Sequence, residues 1–251
     1  MGFLVLAFNS SIPVGSVLVD FKSIVDAGVA TQSGDGYVID PRMKLLLGAT
    51  GFGPNLARLQ IQTPSFNLLA YQEITGVNLA SAPAYGVNKI NFYLDGARGL
   101  VETETLIAQV YQSGAAAEND TVGVWLADAL PTPVKKAHFT IRFTGASTLT
   151  PNAWSTVTPT LDRNLPAGKY QIIGARLLSA GGLLFRANIP GYNYRPGGLC
   201  VQVAQTLDPE GQRHGGWGVW GEFDQNLLPV FDVLSTSADT SQSGELDLVK
   251  V

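Results

Sequence analysis

The chain has 251 residues, of which 45% are hydrophobic and only 14% charged, with a net charge of −4 and a single cysteine. That length can form one large domain or two ordinary ones that bury a core without cross-links, and the lone Cys200 excludes an internal disulfide and a cysteine-rich zinc site. The sixteen Lys and Arg residues are scattered, with Lys135-Lys136 the longest basic run, which excludes the clustered cations of tight nucleic-acid binding.

The first segment, FLVLAF (3–8), reads as a strand. It lacks the positively charged start of a signal peptide and falls far short of the roughly 18 apolar residues of a membrane span. Further strands are predicted at VGSVLVDF (14–21), GYVID (36–40), KLLLGA (44–49), ARLQIQT (57–63), FNLLAYQ (66–72), NKINFYL (88–94) and TVGVWLA (121–127). One segment differs. In VETETLIAQVYQSG, Leu106, Ile107, Val110 and Tyr111 fall at helical spacing. Glu102 and Glu104 sit near its start, where they complement the helix dipole, and Gly114 can end it, so the spacing predicts a short helix near 103–113.

The second half is more regular. In HFTIRF, Phe139, Ile141 and Phe143 alternate with His138, Thr140 and Arg142, the period of a strand with one wet face. Strands follow at 155–161, 169–178, 182–189, 198–204, 217–223, 229–235 and 245–251. Turn signals separate them, among them Pro166-Ala167-Gly168, Gly181-Gly182, Pro196-Gly197 and Asp208-Pro209-Glu210-Gly211. Short strands at this spacing describe an all-β sandwich or barrel.

Two phrases echo each other, TVGVWLADALPTPV (121–134) and GWGVWGEFDQNLLPV (216–230). Ala57-Arg58-Leu59 is likewise matched by Ala175-Arg176-Leu177, and Gly99-Leu100 by Gly198-Leu199. The common order predicts a duplication, two eight-stranded sandwiches joined near Pro133-Val134-Lys135, although the gaps between anchors differ.

Candidate chemistry is sparse. His138 lies on a wet strand face and His214 in the loop EGQRHGG, with no metal spacing in sequence. Glu102 and Glu104 read as helix-start charges, Glu222 and Asp224 as one solvated strand face, and Asp120, Asp162 and Asp208 as turn residues. Nucleophile elbows and phosphate-binding loops are absent from the sequence. The aromatics say more. Trp217 and Trp220 flank Gly218-Val219, which predicts opposite strand faces, one in the core and one free for a sugar or a subunit. Tyr192, Tyr194 and Arg195 crowd the loop IPGYNYRPGG, and Tyr and Arg are enriched where proteins bind each other.

The run NLPAGKYQIIGARLLSAGGLLFRANIPGYNYRPGG, then GVWGEF and ELDLVKV, resembles the second half of a viral double jelly-roll capsid protein. ARLQIQTPSF with GVWLAD is similar to the first half. The resemblance implies two tandem eight-stranded jelly-roll sandwiches, residues 1–134 and 135–251. It implies a non-enzymatic virion subunit, assembled in the host cytoplasm, that forms homotrimers and then an icosahedral capsid lattice. Minor capsid or vertex proteins and an internal membrane would be its neighbours, and no cofactor or metal is implied. Read without the resemblance, the same residues leave open a carbohydrate-binding or receptor-binding sandwich using Trp217, Trp220 and Tyr192, or a glycosidase using Glu222.

Overall fold

The computed structural model describes residues 2–13, 18–26, 28–53, 55–65, 73–74, 97–112, 116–201 and 212–251. The strands predicted at 66–72 and 88–94, the first residues of 14–21, the last residues of 198–204 and the turn at 208–211 lie outside them. The chain divides into two compact units, Leu6–Asp128 and Met1–Val5 with Ala129–Val251. No helix among the described residues is long and apolar enough to cross a membrane.

The first half of the chain carries β1 (Phe3–Ile12), β2 (Val19–Asp20), β3 (Thr31–Ser33), β4 (Gly36–Val38), β5 (Leu45–Phe52), β6 (Leu56–Gln62), β7 (Glu73–Ile74), β8 (Arg98–Gly99), β9 (Thr105–Gln112) and β10 (Glu118–Ala127). One sheet runs β1-β10-β5-β8; the other runs β3-β4-β9-β6-β7, with β2 added beside β9. The second half carries β11 (Phe139–Gly145), β12 (Trp154–Val157), β13 (Thr160–Leu161), β14 (Lys169–Leu178), β15 (Gly182–Asn188), β16 (Gly197–Leu199), β17 (Gly221–Asp224), β18 (Val230–Ser235) and β19 (Gln242–Lys250). Its sheets run β13-β11-β19-β14-β17 and β12-β18-β15-β16.

Setting aside the short β2, β3 and β13, each half contributes eight strands in the same arrangement. One sheet takes the first, eighth, third and sixth; the other takes the second, seventh, fourth and fifth. That order is the eight-stranded jelly roll, two Greek keys folded into facing sheets. The fold is therefore all-β, with two jelly-roll sandwiches in succession along the chain.

The helix expected at 103–113 is a correction, because residues 105–112 form β9. Leu106, Ala108, Val110 and Gln112 are buried while the residues between them are half-exposed, which is period two. The apolar set fits both periods over so short a run, and two things favour the strand. Ile107, Val110 and Tyr111 are β-branched or aromatic. An isolated helix of that length is marginal in water, whereas β9 gains ladders with β6, β4 and β2, pairing Val110 with Leu59, Leu106 with Tyr37 and Gln109 with Asp20. Glu104, expected at a helix start, instead accepts a hydrogen bond from the Ser65 hydroxyl at 2.6 Å.

In the second unit the alternation holds along β11, with Ile141 and Phe143 buried and Arg142 exposed. Phe143 stacks on Phe231 of β18 at 5.1 Å between ring centroids, and Phe231 meets Phe185 of β15 edge-on at 6.2 Å. These rings join the inner faces of the two sheets. Phe139, the first residue of β11, is 37% exposed and touches only the edge of Tyr170 among the described rings, at 6.0 Å.

The repeated phrases do not mark equivalent places. Gly123-Val124-Trp125 lies in β10, the eighth strand of its jelly roll, whereas Gly218-Val219-Trp220 precedes β17, the sixth of the other. Ala57-Arg58-Leu59 lies in a fourth strand and Ala175-Arg176-Leu177 in a third; Gly99 lies in a sixth strand and Gly198 in a fifth. The two halves share a strand order without sharing these words.

Candidate functional site

The loop between β15 and β16 and the segment before β17 hold all five residues that sequence singled out. They converge on residues 2–5 of the same unit. Phe3 is 1% exposed and meets Trp217 at 5.8 Å and Trp220 at 5.6 Å, both edge-on. The two tryptophans are 4% and 2% exposed, so neither presents an outward platform. The expected opposite faces fail because Gly218, between them, has a φ of +81°, which breaks the extended backbone on which alternation depends. Tyr194 and Arg195 are half-buried and Tyr192 is 39% exposed. The ring of Tyr194 lies so close over Gly2 that a Cβ there would sit 2.4 Å from it. Val5 donates its N–H to the Arg195 carbonyl at 3.1 Å, and Leu4 bridges Arg195 in parallel. The Arg195 guanidinium donates to the Tyr192 and Tyr194 carbonyls at 2.9 and 3.0 Å, which closes the loop on itself.

Sequence reading missed a second anchor beside this loop. Arg186 of β15 is 3% exposed. It pairs with Asp232 of β18 at 3.1 Å, stacks 4.1 Å above the Trp154 ring and donates to the Val5 carbonyl at 3.3 Å. The signal was present: each of the two apolar runs GLLFRANI and PVFDVLS holds one charge, of opposite sign, and register sets the two opposite each other.

Glu222 and Asp224 have structural partners. Lys169 lies 3.7 Å from Glu222, and Asp224 caps the turn by accepting from the Asn226 backbone at 2.9 Å. Asp120, expected in a turn, is a correction: it lies within β10 and is fully buried. Burial, and then the charge of Glu118, push its pKa from 3.8 up to about 8, so it is protonated at neutral pH. Cys200 is a buried free thiol whose pKa burial raises further.

The chain's two histidines, 76 residues apart in sequence, are adjacent in space. His138 Nε2 lies 3.2 Å from His214 Nδ1, and Asp247 Oδ2 lies 3.6 Å from that Nδ1. Asp247 is fully buried in β19. It accepts from Arg213 Nε at 2.7 Å and Nη2 at 3.0 Å, from the Thr140 hydroxyl at 2.7 Å and from the His214 N–H at 2.9 Å. Burial alone would raise its pKa; these bonds, Arg213 foremost, hold it down at about 2. His138, His214 and Asp247 are the group of three metal-ligand side chains among the described residues, with ligand atoms within 4.8 Å of one another. Nothing in the linear spacing signals this cluster, which needs the pairing of β19 with both β11 and β14.

No protein-family model and no curated protein matches this chain. Among solved structures it is similar to the major capsid protein P2 from bacteriophage PM2, at 12% identity over 99% of this chain and 98% of that chain, with a TM-score of 0.27.

Proposed function

We propose that the chain is a coat subunit that acts by associating with copies of itself, first as a homotrimer and then as a shell lattice. The observation that carries this reading is the jelly-roll strand order repeated in both halves, β1-β10-β5-β8 with β4-β9-β6-β7 and β11-β19-β14-β17 with β12-β18-β15-β16. Two such sandwiches in one chain give a trimer six similar modules, which suits pseudo-sixfold packing in a closed lattice. The charge content supports it, because 14% charged residues leave much of the exterior suited to contact with protein. On this reading the protein resides in the virion after assembly in the host cytoplasm. Vertex or minor shell proteins and an internal membrane are its neighbours, and Tyr192 is the member of the aromatic loop placed to reach a neighbouring subunit.

Light scattering coupled to size exclusion tests this. The expected mass is three times 26.6 kDa or a larger particle, with uniform shells in negative stain from the native source. A monomer at every soluble concentration, above all one that binds glycans, overturns the coat reading.

A further inference from the structure

We propose that His138 and His214, backed by Asp247, form a surface site for a divalent transition-metal ion of the zinc class. Bound there, the ion would fasten the segment before β11 to the loop before β17. The inference stands apart from the coat reading.

The site begins with a missing side chain. Gly174 of β14 sits opposite Asp247, next to an irregularity in the ladder between β14 and β19. A Cβ at Gly174 would lie 2.8 Å from Asp247 Oδ2, 2.9 Å from Arg213 Cα and 2.9 Å from the His214 nitrogen. Its absence lets the loop carrying Arg213 and His214 lie directly on the sheet. The loop is held there by bonds from the Gly215 N–H to the Ile173 carbonyl at 2.8 Å and from the Ala175 N–H to the Gln212 carbonyl at 3.1 Å. His214 takes a φ of +54°, left-handed for a residue with a side chain. From the other side, the Val134 N–H bonds the Gly215 carbonyl at 2.9 Å and brings the segment ending in His138 alongside.

Hydrogen bonding then fixes which nitrogen is bare. His138 Nδ1 lies 3.3 Å from the Lys136 carbonyl, which can only accept, so Nδ1 carries the proton and Nε2 offers a lone pair. That pairing of ring N–H with a carbonyl is the usual outer support of a metal-binding imidazole. His214 Nδ1 lies 3.2 Å away and donates to that lone pair, so an ion held between the two requires His214 to carry its proton on Nε2 instead. Two nitrogens each bound about 2.0–2.1 Å from one tetrahedral ion lie about 3.3 Å apart, so the observed separation already matches, and the rings need only turn to aim both lone pairs at the ion.

Charge also permits a cation. Arg213 is answered by two carboxylates, Asp247 at 2.7 Å and Glu245 at 2.8 Å, and Arg142 lies 3.6 Å from Glu245, so these four groups sum to zero and leave no net positive charge against an ion. Both histidines are exposed, which leaves water free to complete the coordination shell. Imidazole donors select zinc, copper or nickel over magnesium and calcium.

Isothermal titration of the untagged chain with Zn2+ near neutral pH tests the assignment. One ion per chain is expected. Because His138 is exposed, His138→Ala leaves the fold intact and abolishes binding. His214→Asn, which tolerates the left-handed backbone, does the same, and Asp247→Asn weakens affinity by about tenfold. With Cu2+ as probe, nitrogen hyperfine structure from two imidazoles is expected in the parent chain and is lost in either single histidine variant. Absence of Zn2+ binding by the parent chain overturns the proposal and leaves a plain hydrogen bond between the rings. Undiminished binding by the double histidine variant overturns it equally.

Discussion

Replacing Arg186 with Met should destabilise the second unit far more than replacing Arg186 and Asp232 together would suggest. The side chains of the pair are only 4% and 13% exposed. Met keeps much of the aliphatic length but leaves Asp232 with the Thr156 hydroxyl, 3.1 Å away, in place of a cation. Stranding one partner of a buried ion pair costs about 3–5 kcal/mol. In Arg186→Met/Asp232→Leu both charges go, and what is lost is the contact over Trp154, worth about 0.5–2 kcal/mol, and the bond to Val5, worth about 1 kcal/mol. The double variant should therefore sit about 1.5–3 kcal/mol below the parent chain, above the Arg186→Met single. Urea unfolding followed by tryptophan fluorescence measures this, since Trp154 lies directly under the guanidinium. An Arg186→Met loss below about 1 kcal/mol, or a double variant as unstable as the two singles summed, would refute the reasoning.

Two further outcomes follow from the core. Asp120 has a folded pKa of about 8 against an ordinary 3.8, so its contribution is fully present below about pH 4 and lost as pH rises through about 8. Asp120→Asn, which cannot ionise, should gain on the parent chain by more than about 1 kcal/mol between those limits; parallel curves of Tm against pH would count against burial of the carboxyl. Phe3→Ala removes a ring covered by Trp217 and Trp220 and should cost about 3–5 kcal/mol, with loss of near-ultraviolet dichroism from those indoles. An unchanged spectrum would mean that Phe3 does not fill that space.

The strand positions of the second half were legible because alternation and turn residues agree there, as in β11, where Ile141 and Phe143 point inward around Arg142. β9 was misread because Leu106, Ile107, Val110 and Tyr111 satisfy two periods at once, and only its neighbours choose between them. The duplication was visible for the wrong reason: it lies in the strand order, while the repeated Gly-Val-Trp phrases occupy different strands. Trp217 and Trp220 were assigned to opposite faces on the assumption of extended backbone, which a single left-handed glycine removes. The histidine pair was invisible because its neighbours in space are set by which strands β19 lies between, and no local pattern records that.

The placement of Phe3 against Trp217 and Trp220 also bears on synthesis. At about 5–20 residues per second, the ribosome delivers those tryptophans roughly 10–40 s after Phe3. Throughout that interval Phe3, Leu4 and Val5 must wait without the surface that will cover them. The nascent polypeptide thus carries an uncovered apolar segment over that interval, and a chaperone that shields it early should raise the yield of correctly folded product.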